Sequence, residues 1–292
     1  MKSYLSILGM LLFLSTPMFA QEIGSEEYDY KALRPIRNSD KMYQNTLWWR
    51  MDLREKQNEP FFASENEITK IIIEAVKAGV LRPFENDSLN TRMAMNQFLE
   101  NLKMNDGSEG VEIEGGGWDE EIVGWDSGSD TGEWGEVDTK DDTGIAEFSS
   151  AGGDEFFAKQ IPILEIKGHK VFDKKRSRMY QEIESITLVI PGEYYPAGID
   201  KPLATFSYKE LVENVFTDNP QAIWFNRKNT IENRNLADAF ELALGTARIT
   251  KYSNPKDDFI EDIYNGDLKL SLAKSQQYAM DLLEYESNVW SN

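Results

Sequence analysis

Few residues in this chain have the chemistry a catalytic site needs. There is one histidine, His169, no cysteine, and an excess of acids, with 51 Asp and Glu against 31 Lys and Arg. A single imidazole excludes any site built on two, and leaves little for Ser/His/Asp nucleophilic catalysis. The missing thiols close off Cys/His catalysis and thiolate ligation of zinc or iron–sulfur. The spacings G-x-S-x-G, G-x-x-x-x-G-K-[ST] and H-E-x-x-H are absent. The stretch EGGGWD, 114–119, has no following lysine and sits among acids that repel phosphate. His169, between Gly168 and Lys170 in a basic run, is expected to be an exposed turn histidine. Paired carboxylates of the glycosidase kind need no local spacing, so an exported hydrolase with dispersed acids is one rival reading. No catalytic, cofactor or metal residue is assigned.

The acids are not spread evenly. Between Asn105 and Glu155 lie 17 of them with one base, Lys140, giving -16 of the chain's formal -20. The same stretch holds 12 of the 20 glycines. Clustered like charges and glycine's backbone entropy predict a flexible acidic insert over 105–155. Its tryptophans, Trp118, Trp125 and Trp134, make a second reading available, a secreted binding module that grips a sugar or polymer through the insert. Calcium is disfavoured, because DSGSDTGEWGE does not place oxygens at the positions of a calcium loop. A chain this acidic repels phosphate backbones and anionic lipid, which argues against nucleic acid and direct membrane insertion.

The elements that must hold these residues come next. Lys2, the short apolar run Tyr4–Leu14, Pro17 and Ala20 predict a cleavable signal peptide over 1–20 and export. Residues 21–46 look like an extended N-terminal arm, and 47–104 and 156–292 form two parts of one core domain. Leu47–Phe62 suggests a short strand or helix turn leading into a loop. Ser64 and Glu67 have capping-box spacing before a helix over 65–78, with a second helix over 89–104. Strands are expected at 161–168 and 181–191, where β-branched residues alternate. Helices follow at 208–216, 235–247, 255–264 and 268–287, the third introduced by Asn254-Pro255. The sum is an α+β fold, with antiparallel strands packed against several helices.

Two segments have the composition of contact surfaces. Trp48 and Trp49 beside Arg50 resemble interface anchors, with Asp52, Arg54 and Glu55 setting register by charge pairing. From Lys167 to Arg178 six bases accompany one acid, Asp173. There Lys174, Lys175 and Arg176 on a hairpin turn suit an acidic partner face, or the chain's own insert.

Several segments together bring a family into view. LWWRMDLREKQNEPFF, EITKIIIEAVKAGVLRPF, KVFDKKRSRMYQEIESITLVIP and NRKNTIENRNLADAFELALGTARITKYSNPKDDFIEDIY resemble the GldN/PorN family of gliding motility and type IX secretion. The most specific element is tryptophan followed by R-x-D-L-R-E-K and N-x-P, then F-D-K-x-R-S-x-M. The ending built on Asn254, Asp257, Ile260 and Tyr264 agrees. The insert lies outside these motifs. The resemblance implies a non-enzymatic periplasmic subunit that forms a ring with an outer-membrane lipoprotein of GldK/PorK type. It further implies self-association and contact with the energy-transmitting GldM/PorM component, with the lipoprotein holding the subunit peripherally at the outer membrane.

Overall fold

The computed structural model describes residues 28–290, apart from 105–154, 196–197, 218 and 230. The expected signal peptide, the start of the arm and nearly all of the acidic insert lie outside the described residues.

The fold is α+β, built on a five-stranded antiparallel sheet. Strand β1, Lys41–Asp52, is 12 residues long and takes in the last six residues of the expected arm. Its length follows from an alternation that runs upstream from Met51, Trp49 and Leu47 through Asn45 and Tyr43. A small ladder of β2, Phe62–Ala63, and β3, Asn66–Glu67, comes next. This ladder takes residues expected to be helical, so helix α1 starts at Ile68 and ends at Lys77. Glu65 adopts φ +69°, and the Ser64–Glu67 capping box does not form. At the other end Gly79, with φ +73°, stops α1 as the sequence suggests. Helix α2 covers Met95–Leu102, shorter than expected because Leu89 turns left-handed at φ +56°.

Strands β4, Ile163–Asp173, and β5, Arg178–Ile190, form a long hairpin, and β6, Lys201–Ser207, continues the meander. Helix α3, Tyr208–Leu211, runs directly into a π-helical turn, Val212–Phe216. A second ladder, β7 at Ile223–Trp224 and β8 at Arg234–Asn235, precedes α4, Leu236–Glu241. There Asn235 caps the helix by accepting the Ala237 N–H at 2.8 Å. Strand β9, Arg248–Tyr252, then pairs with β1 and completes the order β6-β5-β4-β1-β9. The helix expected from 255 is reduced to α5, Ile260–Ile263. The Asn254 side chain instead accepts from the Lys256 and Asp258 N–H groups, closing a turn where Asp257 has φ +60°. Helix α6, Leu268–Trp290, is the last described element. Among the described residues no helix is long and apolar enough to cross a membrane.

Register divides the sheet into two unlike faces. Trp49 lies opposite Ile166, which lies opposite Ile186 and then Phe206; Met51 follows the same course through Leu164, Leu188 and Ala204. This apolar face packs on Ile68, Ile72 and Val76 of α1, Phe98 and Leu102 of α2, and Leu211 and Phe216 beyond β6. Burial at about 25 cal/mol per Å² makes it the main source of stability. The other face carries Thr46, Trp48 and Arg50, opposite His169, Lys167 and Glu165.

Candidate functional site

The polar sheet face is covered by two loops, and charged side chains are held between. From the N-terminal segment, Ala32 and Ile36 are buried and Tyr28 bridges to Arg37, so residues 28–40 lie on the chain's own body. The second loop, around Asp87, is tethered where Phe84 pairs with Thr205 of β6. A bulge in β5 opposite Lys167 and Gly168 leaves Glu184 between paired Ile183 and Ser185. Glu184 and Ser185 both serve the polar side as a result, while Ile183 and Ile186 stay in the core. Gly168 permits this approach, since a Cβ there would collide with the Glu182 carbonyl oxygen.

Glu184 is the hub of the buried charges. Its carboxylate lies 3.2 Å from Lys31, 3.4 Å from Lys167 and 3.6 Å from His169, with its side chain 7% exposed. His169 is therefore not the exposed turn histidine expected. It stands in mid-strand, 12% exposed, with Nδ1 3.0 Å from Thr46 Oγ1 and Nε2 3.9 Å from Asp29. The basic run is only partly a turn, because residues through Asp173 belong to β4. Burial pushes the His169 pKa down, against the pull of Glu184 and Asp29. Lys41 and Glu182, 3.7 Å apart and both buried, extend the network, and burial raises the Glu182 pKa despite that lysine. Sequence reasoning missed Lys31, Glu182 and Glu184. The available signal was a β-strand placing glutamates at i and i+2 beside Ser185.

The two tryptophans point to opposite faces, as neighbours in a strand must. Trp49 is 7% exposed in the core and is committed there. Trp48 donates its indole N–H to Asp87 at 2.8 Å, while Lys251 and Lys167 sit 4.6 and 5.7 Å from its ring. Arg50 pairs with Glu165 at 3.6 Å and with Asp200. Arg54 holds Asp52 at 2.9 Å and also bonds Glu193. Burial works to raise the Asp52 pKa, but the Arg54 hydrogen bonds hold it below its ordinary value. These charges pair within this chain, where Arg50 and Arg54 join the start of the chain's core to Asp200 and Glu193. Glu55 contributes its carbonyl to the turn that places Asn58, whose amide side chain bonds the Asp52 and Thr246 carbonyls at 2.8 Å each.

At the β4–β5 tip only Lys174–Ser177 forms the turn, with Ser177 at φ +49°. Asp173 accepts the Lys175 N–H at 2.8 Å and pairs with Arg176, while Lys175 reaches Asp40 at 2.7 Å. Lys174, Lys175 and Arg176 are all exposed. Tip and tryptophan region are not brought together, because β4 separates them by its length, about 15–20 Å from Lys167 to Asp173 at 3.3 Å per residue. A cleft of about 750 Å³ lies beside α6, lined by Trp49, Arg50, Lys170, Ile249, Leu272 and Leu283 among others. Among the described residues no group of three His, Asp or Glu side chains is placed to hold a metal ion.

Comparison with known proteins agrees with this distribution of motifs. No curated protein matches the chain. The profile of one family, described as gliding motility associated protein GldN, matches residues 36–291, which takes in β1, both hairpin strands and the six α-helices found among the described residues. A match of that extent settles the family, and the chain belongs to GldN.

Proposed function

We propose that the chain is a non-catalytic structural subunit of the gliding and type IX secretion machinery. In this reading it is exported to the periplasm, where it assembles with an outer-membrane lipoprotein of GldK/PorK type. It self-associates in a ring and contacts the periplasmic part of a GldM/PorM-type component. The family match over residues 36–291 carries the reading.

The use made of the family motifs supports it. In W-R-x-D-L-R-E-K, Trp49 fills the core, and Arg50 and Arg54 clamp a neighbouring loop. In F-D-K-x-R-S-x-M, Asp173 and Ser177 shape a hairpin turn. Asn254 closes another turn. These residues build a rigid shape, and none sets a nucleophile against a base in a cleft. A precise shape with a charged, exposed tip suits a part that works by being positioned against other proteins.

The test is co-purification from envelope extracts of a strain producing a tagged chain. Recovery of an outer-membrane lipoprotein and an inner-membrane-anchored periplasmic protein is the expected result. Recovery of neither, under conditions that keep the envelope complexes intact, overturns the proposal.

A further inference from the structure

Helix α6 is 23 residues long yet rests lightly on the sheet. Ser275, bonded to the Ile249 carbonyl at 2.6 Å, is its one buried side chain among the described residues. Tyr278 stacks on Tyr252 with ring centroids 4.7 Å apart, and Tyr285 meets Tyr43 at the same separation. These contacts use the stripe through Ser271, Ser275, Tyr278 and Leu282. Next to it, on the side of the 750 Å³ cleft, runs a second apolar stripe. It consists of Leu268, Leu272, Met280 and Leu283, with Gln276 at its middle, and the four apolar side chains are 64%, 42%, 67% and 60% exposed. Positions 272, 276, 280 and 283 fall on one helix face. A soluble helix seldom leaves such a stripe bare.

Charge along the helix indicates what covers it. Its bases, Lys269 and Lys274, lie in the first half, and its acids, Asp281, Glu284 and Glu286, lie in the second. Two such helices side by side and parallel set like charges together; antiparallel, they set each half against its opposite. With the crossing between Gln276 and Gln277, Lys269 of one copy faces Glu284 of the other, and Leu272, Met280 and Leu283 interleave across it. The arrangement is self-complementary, as a two-fold interface requires. With flanking polar side chains, it would remove roughly 1,000–1,200 Å² from water, near the lower limit for specific interfaces.

We infer that α6 is a self-pairing surface, by which two copies of this chain associate through antiparallel contact of the Leu272–Leu283 stripe. The inference goes beyond the ring reading and is independent of it: a two-fold pair closes on itself, so contacts that extend a ring use other surfaces, and the partner at this surface is a second copy.

Sedimentation of the purified chain across a concentration series should show reversible dimers. Leu283→Glu should shift them to monomer with unchanged thermal midpoint, since that side chain is already 60% exposed. Lys269→Glu should weaken the dimer by roughly tenfold, and adding Glu284→Lys should restore it. The sequence has no cysteine, so single replacements give clean cross-links. Gln276→Cys should link to itself under mild oxidation, whereas Lys269→Cys should link to Glu284→Cys and not to itself. A chain monomeric at every concentration, a dimer indifferent to Leu283→Glu, or self-linkage of Lys269→Cys would each overturn the pairing. Co-purification of envelope partners, measured on the unsubstituted chain, reads the functional proposal separately. Dimers without partners sink only the function, and partners without dimers sink only the pairing.

Discussion

Replacing Glu184 by glutamine keeps the shape of the side chain and removes its charge, which isolates what the buried network contributes. Three cationic or protonatable groups lie within 3.6 Å of this carboxylate. Breaking a fully buried pair costs about 3–5 kcal/mol. The figure here is smaller, because Lys31 is 45% exposed and Lys167 keeps Asp87 at 3.7 Å. We expect a loss of about 2 kcal/mol, from the lower part of that range after relief by solvent. For a domain of this size, that is a fall in Tm of about 4–8 °C. Glu65→Gln, which breaks only an exposed pair with Lys70, should leave the midpoint where it is. The lone histidine provides a second readout, since an imidazole NMR titration needs no assignment. Glu184 is the largest charge favouring protonation of His169, so its loss should lower that pKa further. The sign of the pH dependence follows. Because burial depresses His169 below its ordinary 6.5, the unfolded chain takes the proton first. Stability therefore falls as pH drops through 6.5 and levels off once the folded histidine is charged too. The raised Glu165 and Glu182 act in the opposite sense, their contribution being complete below 4.5 and lost as pH rises through their elevated values. A loss under about 0.5 kcal/mol together with an unaltered His169 titration would refute the reasoning, because a buried hub cannot be worth so little.

Three further outcomes are expected. Trp49→Ala should destabilise the chain by about 3–5 kcal/mol in denaturant melts, while Trp48→Phe, which leaves Asp87 without its indole donor, should cost about 1–2 kcal/mol. Alanine at Lys174, Lys175 and Arg176 together should change folding stability by less than about 1.5 kcal/mol, since all three side chains are exposed and only Lys175 and Arg176 form ion pairs, with Asp40 and Asp173. The same change should weaken partner binding and flatten its dependence on salt, and unchanged binding across a salt series would remove the tip from the interface. Deleting 107–153 should leave the Tm within a few degrees, because Lys103 and Glu155 already bridge the two ends of that excursion. If the deletion abolishes binding to sugar or polymer while assembly persists, the binding-module reading gains what the structural reading loses.

The fold class and most of the elements were legible in the amino-acid sequence, because period and composition are local. The alternation of Ile186, Leu188 and Ile190 gave a strand, and the spacing of Ile68, Ile71, Ile72, Ala75 and Val76 gave a helix. Element ends were less legible. Ser64–Glu67 has the spacing of a capping box, yet a two-residue ladder with Phe62–Ala63 claimed its backbone. Asn254-Pro255 has the chemistry of a helix start, yet the asparagine closed a turn. Each outcome turned on a competing hydrogen bond that local spacing does not reveal.

The candidate contact residues show the same division. Their types alone establish that Trp48, Trp49, Arg50, Asp52 and Arg54 make strong contacts, since large aromatics and paired charges seldom stay idle. Whether those contacts are internal or external was decided by tertiary structure. Strand geometry sent Trp49 inward and Trp48 to the polar face, and the 192–200 loop supplied acids to both arginines from about 140–150 positions away. His169 followed suit, exposed by local composition but buried once β5 brought Glu184 beside it and the N-terminal segment covered both. The sequence by itself determined family, charge distribution and element types, which depend on neighbours in the chain. Tertiary structure decided which charges meet and which apolar stripe stays bare, because both depend on residues distant in sequence that come together only in the folded sheet.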